Sequence, residues 1–152
     1  MGDRFDGLGE YLLNGSAVRN ETSNEVYAFC MSYPEISFNR LELMAQQSKY
    51  NCLVTIIKPE MLFNRIRSHF VSNSAGCHVH CGAAIYDRGK EVSKLELNFQ
   101  KYNFNVFQKS NRFVDDKEYR LPVVTNTVIK SNDNFIYIEL GDCSDIIEIN
   151  NL

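Results

Sequence analysis

The sequence predicts an α+β protein: a mixed or largely antiparallel sheet with two or three helices packed on it. Three observations carry this expectation. Short apolar runs rich in β-branched residues alternate with two helix-like stretches, and mostly strand-like runs follow. Pro59 stands where a helix would begin, because a proline's missing N–H is harmless in the first turn. The chain has 152 residues, 44% of them apolar, which is enough for one core in a single domain spanning 1–152.

The elements follow in order. Residues 1–24 are rich in Gly, Asn, Ser and acidic groups, and are expected to form a loop with a short helix at 9–13. Their abrupt polar start suggests a missing upstream element. The apolar run 26–31 reads as a short buried strand, and Pro34 marks the loop after it. Residues 40–47 read as a helix with Leu41, Met44 and Ala45 on one side. Residues 52–57 are the clearest candidate for a buried strand, since β-branched side chains suit a pleated surface. From Pro59 a helix carries an apolar stripe of Met61, Leu62, Phe63, Ile66 and Phe70, leaving Arg65, Arg67 and Ser68 wet. A turn at 72–76 closes it. Residues 77–86 read as a strand, 90–97 fit strand or helix, and 98–114 mix aromatic with basic residues. A strand is expected at 117–125, a turn at Asn126-Thr127, an apolar stretch at 128–130 and a late strand at 135–140. Gly141-Asp142-Cys143 reads as a turn, with Ser144 capping a short helical turn through Ile147.

Composition narrows the partners. The net charge of −3 argues against a general polyanion binder, so nucleic acid is not an expected partner. Trp is absent, and ten Phe with eight Tyr supply the bulk of the core. No apolar run approaches the roughly 20 residues of a membrane helix, and the first residues lack signal-peptide character. A cytoplasmic setting without membrane attachment is the expectation. Five cysteines, an odd number, are expected to be reduced thiols. On a strand, Cys77 and Cys81 would lie about 13 Å apart, too far for a disulfide.

Three segments could carry chemistry. In Cys77-His78-Val79-His80-Cys81, strand geometry puts His78 and His80 on one face as candidate metal ligands. A structural zinc site needs four ligands, and no second Cys or His pair supplies the rest, so zinc is not expected. The same face continues through Gly82, Ala84 and Tyr86. Its small residues leave room for a flat ligand between His80 and Tyr86, or else let a helix pack closely. In Asp116-Lys117-Glu118-Tyr119-Arg120, alternate residues share a face, with Asp116, Glu118 and Arg120 spaced roughly 6–7 Å apart. Glu118 could stabilise a developing cation or accept a proton. Arg120 could hold a carboxylate or phosphate through two parallel hydrogen bonds. The alternative is a solvated strand whose ion pair contributes about 0–1 kcal/mol. The basic and aromatic stretch from Phe99 to Tyr119 suits single-stranded nucleic acid, but the acidic balance favours a core role for its rings. Glycine-rich dinucleotide, phosphate-loop and nucleophile-elbow motifs are absent.

Several of these motifs come in a recognisable order: Glu60-Met61-Leu62-Phe63-Asn64-Arg65-Ile66, then Ala84-Ile85-Tyr86, then Phe107-Gln108-Lys109 running to Phe113. They are followed by Asp116-Lys117-Glu118-Tyr119-Arg120 and the tail from Ile138 to Ile146. Over roughly residues 50–150 the chain resembles a group of bacterial and phage proteins with a Phe…Lys-Glu-x-Arg signature. That group is similar to ADP-ribosyltransferase-like toxins. The resemblance implies NAD as cofactor, with Glu118 stabilising the oxocarbenium-like cation as nicotinamide leaves and Asp116 orienting the acceptor. Arg120 would clamp a phosphate or carboxylate, and Tyr86 with His80 would form the nicotinamide-side wall. The family's NAD-gripping Arg or His on a first strand has no clear counterpart; Arg4-Phe5-Asp6 with Glu10 is the nearest remnant. A role in phage–host or toxin-type conflict follows from the resemblance. The rival expectation is a non-enzymatic inhibitor, such as an anti-defence protein of a mobile element. Its acidic surface would mimic nucleic acid or plug a basic groove of a host protein. A metal- or nucleic-acid-binding module is the third.

Overall fold

The computed structural model describes residues 8–21, 25–73, 76–91, 106–125 and 137–151. The architecture is α+β, with largely antiparallel pairing distributed over three small sheets. The turn at 126–127, the apolar stretch 128–130 and all of 92–105 lie outside the described residues.

The N-terminal segment departs from the expected loop and short helix. It forms a hairpin, β1 (Leu8–Leu13) and β2 (Ser16–Glu21), with six antiparallel residue pairs. Its turn is Asn14-Gly15, with φ of 51° and 73°. Positive φ at both central residues gives a turn whose twist matches the strands it joins. β3 (Glu25–Ser32) and α1 (Phe38–Ser48) come next. Ser37 caps α1 by accepting the Arg40 N–H at 3.2 Å. Leu41, Met44 and Ala45 are half-buried on the inward side of α1, as the pattern predicts.

β4 (Cys52–Ile56) is a strand but not a buried one. Its partner is a C-terminal strand, β9 (Ile147–Asn151), in a two-stranded ribbon. Val54 and Ile149 face each other across that ribbon, 49% and 65% exposed. The sequence expectation of a short helical turn through Ile147 is replaced by a tight turn leading into β9. There the Asp142 side chain, not Ser144, is the acceptor, taking the Ser144 N–H at 2.9 Å. Of the strand expected at 135–140, residues 135 and 136 lie outside the described residues, and 137–140 join no ladder among those described.

α2 (Pro59–Asn73) buries Leu62, Ile66 and Phe70 against Leu121, Val123 and Ile146. Ile56 and Ile147 of the ribbon pack against the same core. The central strand of the main sheet follows from this contact: β8 (Glu118–Thr125) lies between β3 and the pair β5 (Cys77–Val79) and β6 (Gly82–Ala83). β5 and β6 keep one register against β8, Cys77 opposite Thr125 and Gly82 opposite Arg120. The break between them falls opposite Pro122. Its carbonyl accepts the His80 N–H at 3.0 Å, but a proline has no N–H to return the bond. A short β7 (Lys90–Glu91) runs parallel to β1 and completes the third sheet. No helix among the described residues is long and apolar enough to cross a membrane.

Candidate functional site

β8 turns two unlike faces to its surroundings. Tyr119, Leu121 and Val123 lie on the α2 side, while Glu118 and Arg120 lie on the other. Asp116 does not extend that row. It ends a 3₁₀ helix, Asn111–Asp116, and Lys117 turns the chain with φ 47° before β8 begins. Asp116 still reaches Glu118, because one ammonium bridges both acids. The Lys109 Nζ donates to Asp116 Oδ2 at 3.3 Å and to Glu118 Oε2.

Two guanidinium groups complete the cluster. Arg40 donates through Nε to Asp116 Oδ1 at 2.7 Å, so α1 is bolted to the end of the 3₁₀ helix. Arg120 Nε donates to Glu118 Oε1, and one of its terminal nitrogens donates to the Val106 carbonyl at 2.9 Å. The Glu118 main-chain N–H donates to the Tyr86 phenol oxygen at 2.7 Å. Lys109 also lies 4.7 Å from the centre of the Phe113 ring. The cluster is sealed: Arg120 is 1% exposed, Asp116 6%, Lys109 6% and Glu118 7%. The solvated strand of the sequence reading does not describe it. Burial alone would depress the Lys109 ammonium. The hydrogen bond to Glu118, with the charges of Glu118 and Asp116, outweighs burial and holds it above its ordinary value.

The neighbouring side chains fill the remaining space. A Cβ on Gly82 would stand 3.3 Å from the Phe107 ring, so this chain's own aromatic side chain occupies the room over that small residue. Tyr86 supports Glu118, and burial first, then the Glu118 charge, contributes to raising its phenol. His80 and His78 are exposed, with His78 opposite Val124. Among the described residues no group of three or more His, Cys, Asp or Glu side chains converges as a metal site would.

Sequence reasoning singled out Asp116, Glu118, Arg120 and Tyr86, which the fold brings together. It gave no role to Lys109, Arg40 or Gln108. Lys109 was visible as the end of Phe107-Gln108-Lys109, but nothing local says that it bridges two acids. Arg40 lies 76 residues from Asp116, beyond any spacing rule. Gln108, 1% exposed, joins the hairpin to this core: its Oε1 accepts the Glu10 N–H at 2.7 Å and its Nε2 donates to Asp87 at 3.0 Å.

Clefts open in two places among the described residues, the second of them bordering the cluster at Arg40. One, of about 470 Å³, lies between α2 (Asn64, Arg65, Ser68, His69, Ser72) and Glu139 with Leu140. The other, of about 300 Å³, sits at the start of α1, beside Ser37, Asn39, Arg40 and Lys117. Glu118, Arg120, Tyr86 and His80 line neither. No protein-family model matches the chain, and no curated protein or solved structure is detectably similar to it.

Proposed function

We propose that this chain is a non-enzymatic protein-binding protein, acting by occupying a partner protein, and that the ion cluster around Glu118 is part of its framework. One observation carries the reading: both oxygens of Glu118 are held by cations of this same chain, in a place sealed from solvent. A carboxylate that stabilises a sugar cation must face it across an open site. Glu118 is already neutralised by Lys109 and Arg120, and neither described cleft reaches it. The acidic balance, −3, suits a protein partner with a basic surface.

The test is NAD turnover by the purified full chain, alone and with a cell extract, for wild type and Glu118→Gln. The expected result is no nicotinamide release above the protein-free blank for either. Release by wild type that Glu118→Gln abolishes, with the circular dichroism spectrum retained, would overturn the reading in favour of transferase chemistry.

A further inference from the structure

Asn14-Gly15 fills the turn of the N-terminal hairpin, with Leu13 opposite Ser16 on either side of it. Asn14 is exposed, so water reaches it. An asparagine followed by glycine carries its own reaction, because the glycine has no side chain to hinder its nitrogen. The Gly15 nitrogen attacks the carbonyl carbon of the Asn14 side chain and closes a five-membered imide ring. The side-chain amide leaves as ammonia, taking up the proton that Gly15 loses. Water then opens the ring at either carbonyl. One opening gives aspartate. The other gives isoaspartate, in which the main chain runs through the side-chain carbons. Nothing is oxidised or reduced.

Two features of the fold oppose that attack. Positive φ at both central residues, 51° and 73°, defines a turn whose first residue has ψ of about +30°. At that ψ the Gly15 nitrogen points away from the Asn14 Cβ. Ring closure needs the two eclipsed, close to half a turn further round the Cα–C bond. The Gly15 N–H also donates to Glu91 Oε1 at 3.3 Å, from β7, where Glu91 lies opposite Leu12. We propose that Asn14 is a latent deamidation site, held unreactive by the closed hairpin and by Glu91, and that its conversion releases the hairpin from β7 in one direction only. Conversion follows the population of the open hairpin. Isoaspartate lengthens the main chain by one carbon, so the two-residue turn no longer closes Leu13 against Ser16. Either product sets a second carboxylate close to Glu91, where like charges repel. Opening thus admits the reaction, and the reaction hinders closing. This inference is independent of the protein-binding reading and of Glu118.

The test ages the purified full chain in mildly alkaline buffer, with and without denaturing urea. Position 14 is followed by peptide mass and by chromatographic separation of aspartate from isoaspartate. Conversion in buffer is expected to be at least about tenfold slower than in urea. Glu91→Ala should speed it about threefold in buffer, through loss of one exposed hydrogen bond, and should leave the rate in urea unchanged. Glu91→Gln keeps an acceptor oxygen and should stay near wild type in both. Main-chain amide exchange in β1 and β2 should be faster in the aged, isoaspartate-bearing chain than in the fresh one. Equal rates in buffer and urea, or no conversion in urea, would overturn the latent site. A Glu91→Ala rate equal to wild type, or slower, would overturn the hold by Glu91. Hairpin exchange that is unchanged after conversion would overturn the release.

Discussion

At Arg120 a guanidinium sits inside the molecule with 1% exposure, and it is there because Glu118 lies two residues before it on the same strand face. Removing Arg120 leaves Glu118 Oε1 buried without its donor while Lys109 still holds Oε2, and a buried acceptor left unsatisfied costs about 1–3 kcal/mol, more when charged. Arg120→Ala is therefore expected to lower the urea-unfolding free energy by about 3 kcal/mol. Arg40→Ala should cost less, because the Arg40 side chain keeps 24% exposure and water can replace it at Asp116. Equal losses for the two variants would contradict this ranking. The residue types of the cluster were legible in the sequence, since Glu118 and Arg120 two apart on a strand must share a face. Their burial was not. It depends on Lys109 arriving from another segment, and no local pattern encodes that meeting.

Among the elements, the main sheet shows why some strands were legible and others misread. The apolar stripe of α2 was plain because Leu62, Ile66 and Phe70 repeat at helical spacing and meet Leu121 and Val123. β8 reads as half-exposed, Glu-Tyr-Arg-Leu, yet both its faces are covered because its charges are paired internally. β4 reads as buried, yet it ends in a two-stranded ribbon whose apolar face runs past the core. Period alone cannot tell which strands a strand will join. The N-terminal hairpin was there to be read: Asn14-Gly15 directly after Leu12-Leu13 is a strong turn signal, obscured by the polar composition around it. At Gly82 the close approach of Phe107 makes size the deciding property. Gly82→Val should destabilise by about 1–3 kcal/mol through overpacking, and Phe107→Ala in the same chain should relieve part of that cost. A Gly82→Val melting curve identical to wild type would mean that Phe107 moves aside without penalty.

The behaviour of the whole molecule in alkali joins three regions. Tyr11 in the hairpin is pushed up to about 12, by burial first and then by Asp87. Tyr119, stacked on Phe63 in the main sheet, is pushed up to about 12 by its hydrogen bond with Cys81 and by burial. Tyr86 at the ion cluster is also raised. Between pH 10 and 12 the unfolded chain gives up phenolic protons that the folded chain keeps, so stability falls as pH rises through that window. Lys109 acts in the same direction. Its raised value adds stability that is present below its ordinary value of 10.5 and lost as pH climbs through the folded one. Unfolding free energies at stepped pH should fall across the window, and Tyr11→Phe should make the fall shallower. A flat profile would remove the linkage.

Two cations, Lys109 and Arg120, are buried with two anions, Asp116 and Glu118, so the sealed part of the knot is neutral, and the third cation, Arg40, reaches it from the surface. The chain as a whole carries −3. All of that excess therefore lies outside the buried knot. Mobile counter-ions, and any basic macromolecule arriving by diffusion, meet that acidic shell first.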